Sequence, residues 1–333
     1  MNAVKQITYS PAYTIVPTYE CFNRCSYCNF RVDIGTDSWL SLESARELFK
    51  RLATTGVKEI LVLSGEVHHK SARRQEWFQR IWDICNLALS WGFFPHANSG
   101  LLSKEEMAKL KEVNFSMGLM LEQLTPELLR TVHKYAPSKK PELRLQQLEW
   151  AGQLQIPFTT GLLLGIGETK TDRLDSLKAI AKIQDRWGHI QEVILQPHSI
   201  GSQQSYQNEN FLIEELPELV TQAKKILPSN VTIQIPPNLI QTPAVLLACL
   251  EAGARDLGGI SPKDEVNPDY PHPTAPSLAV ILESAGWHLM PRLPVYPQYY
   301  DWLSPKLQKS LKAKENDLKK ANFSTETSKV INK

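Results

Sequence analysis

The chain has 333 residues, 42% hydrophobic and 22% charged, which is ordinary for a folded protein with a substantial core. A net charge of +2 gives no argument for nucleic acid, which would need a clustered basic face, and no apolar run reaches the roughly 20 residues that cross a bilayer. With no signal-peptide core in Met1–Ser10, the expectation is a cytoplasmic protein with no nucleic-acid or membrane partner.

In chain order, residues 13–19 read as a first strand, weakened by Pro17, and a cysteine-rich loop follows. A helix is expected over 42–55, with Ser41 as N-cap and an apolar face of Leu42, Ala45, Leu48, Phe49 and Leu52. Residues 59–63 form a short buried strand ending in Ser64-Gly65-Glu66. A polar stretch with His68, His69, Arg73 and Arg74 leads to a helix over 75–91. Strands at 93–97 and 114–121 flank a helix that Ser103 caps. A short helix follows Pro126, and a longer one runs through Leu143, Leu148 and Leu154. Further strands fall at 157–164, 192–196, 231–235 and 255–257. Helices at 171–187, 216–227 and 243–252 separate them, and a last helix covers 277–284.

Strands alternating with helices imply parallel β-α-β connections. Eight such units predict a closed (β/α)8 barrel of the TIM type, a single domain over residues 1–303. The Lys-rich stretch 304–333 reads as a polar tail, mobile over 315–333. Cys21, Glu66, Asn98, Glu122, Gly165, His198, Asn238 and Asp256 all fall at or just after expected strand ends. In such a barrel those ends gather on one face, where active sites sit.

Three of the five cysteines, Cys21, Cys25 and Cys28, are spaced CxxxCxxC. An odd count with three crowded together suggests metal or cluster ligation rather than disulfides. Cys85 and Cys249 lie in apolar helical runs and read as small buried hydrophobes. A structural zinc site wants four ligands, usually in two pairs, and no spacing recommends His68 or His69. A bacterial ferredoxin run is spaced differently. A redox pair of Cys25 and Cys28 leaves Cys21 unexplained. Three thiolates can bind three irons of a 4Fe–4S cubane and leave the fourth iron open to a small chelating ligand.

CxxxCxxC with an aromatic, Tyr27, before the last cysteine resembles the signature of the radical S-adenosylmethionine (SAM) superfamily. The resemblance implies that SAM chelates the open iron and is cleaved reductively to a 5′-deoxyadenosyl radical that takes a hydrogen from substrate. It also implies roles in SAM binding for Ser64, Gly65 and Glu66 (amino group), Glu122 (ribose), Arg144 (carboxylate), and Gly165, Gly167 and Tyr27 (adenine). Ser64 departs from the family's first glycine. Each residue has a plainer reading. Glu66, Glu122 and Glu168 could be solvated turn residues, Arg144 a helix-surface residue, Tyr27 a core aromatic, and Gly165 and Gly167 simple turn punctuation.

Longer stretches, residues 14–31, 117–124, 133–138, 143–150, 156–169, 196–198 and 256–273, resemble the CofG subunit of the 7,8-didemethyl-8-hydroxy-5-deazariboflavin (FO) synthase family, over about residues 8–300. The resemblance implies hydrogen abstraction from the tyrosine-derived part of an adduct of tyrosine and 5-amino-6-(D-ribitylamino)uracil, then ring closure and release of ammonia. It implies a CofH-type partner enzyme that supplies the adduct, and an electron donor such as ferredoxin or flavodoxin. From their position, Gln196, Asn238, Asp256, Lys263, Asp264 and Glu265 are candidate substrate contacts and His198 a candidate proton shuttle or a structural histidine. Another radical SAM enzyme of aromatic or pyrimidine substrates, a CofH-type or menaquinone-pathway relative, is the nearest alternative. A non-enzymatic zinc- or iron-binding module is the alternative from a different class.

Overall fold

The computed structural model describes residues 5–207, 211–240 and 242–312; the expected mobile stretch, 315–333, lies outside them. Eight strands follow one another round a parallel sheet: β1 (Lys5–Ile15), β2 (Glu59–Leu63), β3 (Phe94–Asn98), β4 (Ser116–Gly118), β5 (Phe158–Leu164), β6 (Ile190–Pro197), β7 (Thr232–Gln234) and β8 (Asp256–Ile260). β1 pairs with both β2 and β8, which closes the barrel. Parallel pairing requires crossover connections. These carry α1 (Leu42–Leu52), α2 (Arg74–Ser90), α3 (Lys104–Lys111), α4 (Pro141–Gln153), α5 (Lys170–Trp187), α6 (Leu216–Ile226) and α7 (Pro243–Ala252), with α8 (Ala275–Ser284) after β8. The (β/α)8 expectation is met.

The main core lies between barrel and helices. Phe49, Trp77, Ile81, Met107, Leu148 and Ile180 fill it from successive helices, each burial stabilising by about 1.5–3 kcal/mol. Strand β5 is buried at every position, as a strand with side chains on one face in the barrel and on the other under helices must be. Two caps read from sequence are present. Ser41 accepts from the Ser44 backbone N–H, and Ser103 forms a capping box with Glu106.

The structure departs from expectation in several places. The first strand is β1, Lys5–Ile15, so the chain has left the sheet before Pro17, which carries no N–H for a ladder. The eighth strand begins rather than ends at Asp256. A ninth strand, β9 (Trp287–Pro291), pairs in parallel with Lys5–Tyr9 of β1. Beyond it the chain crosses the N-terminal end of the barrel. Leu293, Val295, Tyr299, Leu303, Leu307 and Leu311 there pack on Phe94 and Phe115. Residues 305–312 are helical, so packed chain continues beyond the boundary expected at residue 303.

Candidate active site

The loop after β1 carries the three cysteines and is tied to the loops around it through its backbone. The Phe22 N–H donates to the Glu66 carbonyl (3.0 Å), Arg24 N–H to Tyr135 O (2.8 Å) and Ser26 N–H to Val132 O (3.0 Å). The Ser26 carbonyl accepts from Ser205 (3.0 Å) and Tyr206 (2.9 Å). Main-chain groups thus fix the loop, and Cys21, Cys25 and Cys28 stay partly accessible and free. Gly65 is needed for this contact. A Cβ there would lie 2.1 Å from the Glu20 carbonyl oxygen, and its own N–H donates to Thr18 O at 2.8 Å.

Two carboxylates stand beside the thiols. Glu66, at the end of β2, accepts from Ser138 Oγ (2.9 Å) and Asn23 Nδ2 (3.2 Å). Burial raises its pKa, with Arg144, Ser138 and Lys139 opposing. Gly100 makes room for it; a Cβ at that position would meet Glu66 Oε2 at 2.6 Å. Glu122 follows β4 with a left-handed backbone, φ 65°, a conformation that costs energy in a non-glycine residue and marks functional sites more often than chance. It pairs with Lys139 and with Arg144 (3.4 Å). Burial pushes its pKa up, but Lys139 and Arg144 outweigh that and hold it below the ordinary glutamate value. Arg144 is itself buried, donating from Nε to Met120 O at 2.6 Å.

Residues 15–180 match the model of the radical SAM superfamily. The 7,8-didemethyl-8-hydroxy-5-deazariboflavin synthase of Trichormus variabilis is 67% identical over 305 residues, 92% of this chain and 90% of its own. That of Thermosynechococcus vestitus is 59% identical over 308 residues, 92% of this chain and 98% of its own. This chain belongs to the radical SAM superfamily and, within it, to the FO synthase family. Among solved structures, the FeFe-hydrogenase maturase HydG of Carboxydothermus hydrogenoformans has a TM-score of 0.70 at 20% identity, over 92% of this chain and 76% of that one. Methylornithine synthase (PylB) has a TM-score of 0.66 at 17% identity, over 86% of this chain and 84% of that one. Both share the fold.

A radical SAM protein carries an iron–sulfur cluster and SAM, and the donor set here fits a cluster. Among the described residues no three His, Cys, Asp or Glu side chains form a cage for a single metal ion. The cysteines are nevertheless close enough to affect one another. The Cys25 thiol is pushed up to about 12, chiefly by burial, with Lys139 opposing and Cys28, Glu122 and Cys21 adding to it. Cys21 is raised by burial and then by Glu66. Three thiolates in that place call for compensating positive charge, which bound iron supplies.

The remaining candidates divide between two places. Tyr27 is beside the cysteines, its hydroxyl 2.9 Å from His133 Nε2. Gly165 and Gly167 turn the chain after β5 with φ of 89° and 113°; a Cβ on Gly165 would meet the Phe211 backbone nitrogen at 2.8 Å. Glu168, read as a solvated turn residue, is buried. It accepts from the Gly165 and Ile166 N–H groups and from Arg173 (2.8, 2.9 and 2.7 Å). His198 packs against Tyr206 and Tyr27 at centroid distances of 5.3 and 6.4 Å. Gln196, Asn238 and Asp264 line the barrel interior instead. Asp264 accepts from Asn238 Nδ2 (2.8 Å) and from the Val266 and Asn267 N–H groups (2.8 and 2.9 Å), which orders the loop over the mouth. The Ser64 hydroxyl accepts from Trp77 Nε1–H (3.1 Å). Lys263 and Glu265 pair with each other at 2.8 Å.

Asp256 is not at the mouth. It opens β8, fully buried, with Arg292 Nε and Nη2 donating to its two oxygens at 2.6 and 2.7 Å. The expectation of a substrate contact fails because the strand starts there, at the far end of the barrel. Lys139, His133, Ser138 and Asn23 were missed. Asn23 lies inside the cysteine motif, where the thiols draw the reading, and the other three come from a polar loop; only their convergence on Glu66, Glu122 and Tyr27 distinguishes them.

Proposed function

We propose that Cys21, Cys25 and Cys28 hold a 4Fe–4S cluster by three of its irons and that SAM completes the fourth. Bound there, the pair supplies a 5′-deoxyadenosyl radical. Glu66, with Ser64 and Gly65, receives the SAM amino group, and Glu122 the ribose hydroxyls. Arg144 faces the carboxylate, and Gly165, Gly167 and Tyr27 flank the adenine. The observation that carries this reading is the buried network joining Asn23 of the cysteine loop to Glu66, Ser138, Arg144, Lys139 and Glu122. It ties the thiols to two carboxylates at separate strand ends. Such a fixed, partly charged constellation positions a ligand without reorganisation.

The substrate we propose is 5-amino-5-(4-hydroxybenzyl)-6-(D-ribitylimino)-5,6-dihydrouracil. Hydrogen is abstracted from its tyrosine-derived part, the ring closes to the deazaflavin FO, and ammonia leaves. The names of the relatives support this, as does the single CxxxCxxC, which fits the CofG-type half of the reaction. A CofH-type enzyme then makes the adduct, and a ferredoxin or flavodoxin supplies electrons. His198 is the proposed proton acceptor, with Gln196, Asn238 and Asp264 on the substrate side. No helix among the described residues is long and apolar enough to cross a membrane, and we place the reaction in the cytoplasm.

Incubation of the anaerobically reconstituted protein with the purified adduct, SAM and reductant is expected to give fluorescent deazaflavin and 5′-deoxyadenosine. The same preparation should contain about four irons and four sulfides per chain. One zinc without sulfide would overturn the cluster. A full cluster with SAM cleavage but no deazaflavin would overturn the substrate.

A further inference from the structure

A cavity of about 170 Å³ occupies the barrel interior below the mouth. Strand alternation sets its walls: Glu192, Ile194 and Gln196 on β6 and Glu59, Leu61 and Leu63 on β2 line it at every second position. Its floor is charged. Arg292 reaches in from the segment after β9 and pairs with Asp256 and Glu192, and Thr159 Oγ1 donates to Glu192 at 2.8 Å.

Above the floor lies a different set of groups. Thr14, Asn98, Gln196 and Gln234 stand at or near the C-terminal ends of β1, β3, β6 and β7 and line the same cavity. None of these four side chains has a hydrogen-bond partner among the described residues. All four are half-buried and open to the cavity, so this ring of three amides and a hydroxyl is free to bond a guest. Each amide offers two donors and an acceptor, so the guest must both give and accept hydrogen bonds. The ring itself is uncharged, which suits a neutral guest. No Phe, Tyr or Trp lines the cavity among the described residues, where its aromatic rings are the imidazoles of His96 and His272, so a large flat ring would find no broad aromatic surface. The four residues come from strands on different sides of the barrel and would surround a slender chain. Hydroxyl groups also suit the carboxylates beneath.

We propose that this ring binds the polyhydroxylated chain of the substrate and so leaves the aromatic end at the mouth, beside the cysteine loop. The proposal rests on the ribityl-bearing substrate named above. The test compares reconstituted wild type with Gln234→Met and Asn98→Leu. The compounds are the ribityl adduct and a counterpart with a methyl group in place of the ribityl chain, read by deazaflavin fluorescence. Wild type should prefer the ribityl adduct. Each variant should lower kcat/KM for it by on the order of tenfold, mainly through KM, and narrow the preference by the same factor. Equal losses on both compounds, or an unchanged preference, would overturn the ring.

Equilibrium binding separates this from the reaction itself. Wild type should bind 5-amino-6-(D-ribitylamino)uracil more tightly than its 6-methylamino counterpart, and Gln234→Met should narrow that difference by on the order of tenfold. If wild type makes no deazaflavin yet shows that difference, the reaction is wrong and the ring stands. If it makes deazaflavin but binds both uracils alike, the ring is wrong and the reaction stands.

Discussion

His198 illustrates how much a single side chain depends on its surroundings. The ring is buried, and burial holds its pKa below the ordinary histidine value, with Gln204 and Glu168 opposing. It is therefore neutral near pH 7 and able to take up a proton. Nε2 lies 3.2 Å from Gln204 Oε1, and Nδ1 has no partner among the described residues. We expect His198→Gln to lower deazaflavin formation on the order of 10²-fold, the usual scale for a lost general base. 5′-Deoxyadenosine should still form, because the cysteine loop and both site carboxylates keep their bonds. Chromatography of both products checks this, and full deazaflavin turnover in the variant would remove His198 from the chemistry. The thiols, Gly65, Glu66 and Glu122 were legible in sequence because a motif or a strand end marked them. Lys139 carried no such mark: a lysine in a Lys- and Pro-containing loop reads as solvated until Glu122 is seen against it. Asp256 misled for a related reason. Its partner Arg292 is 36 residues away, and nothing local distinguishes a carboxylate at the start of a strand from one at its end.

Elements with regular periodicity were read to within a few residues. The apolar face of α1 and the caps at Ser41 and Ser103 are local chemistry, and local chemistry is what a sequence displays. β9 and the segment after it were not visible. Only Trp287 of the strand is buried, so the apolar alternation that signals a strand is missing, and its pairing with Lys5–Tyr9 spans nearly the whole chain. The helical residues 305–312 looked like tail because lysines surround Leu307 and Leu311. Those leucines are 0% and 2% exposed against Phe94, Phe115 and Leu303. Leu307→Ala should therefore cost about 2–5 kcal/mol, as for a buried leucine whose cavity cannot collapse. A dispensable tail would give less than about 0.5 kcal/mol. Denaturant unfolding of the two proteins decides between them. The cysteine loop lies at the opposite end of the barrel, so cluster content in Leu307→Ala should match wild type.

Across the whole molecule, the barrel joins a ligand face at one end to a closed, charged floor at the other, and that floor ties stability to pH. Arg292 gives both branches of its fork to Asp256, so Glu192 keeps only a share of the guanidinium. Burial pushes the Glu192 pKa up to about 7; Arg292 lowers it and Asp256 raises it. In the unfolded chain the same group titrates near 4.5. Between those values the native state holds a proton that the unfolded state has released. Stability from this group is thus full below about pH 4.5, falls as pH rises, and is lost above about pH 7. Buried histidines work the other way. His96, His133 and His189 are pushed down to about 3, so the unfolded chain takes up protons below about 6.5 and stability rises with pH through that range. The wild-type curve alone mixes both effects. Glu192→Gln removes one and keeps the other, so the difference between the two proteins isolates the floor. Wild type should lose stability relative to Glu192→Gln as pH rises from 5 to 8, by anaerobic denaturant unfolding at each pH. A constant difference would mean that Glu192 is ionised throughout, with Arg292 holding both carboxylates as full ion pairs.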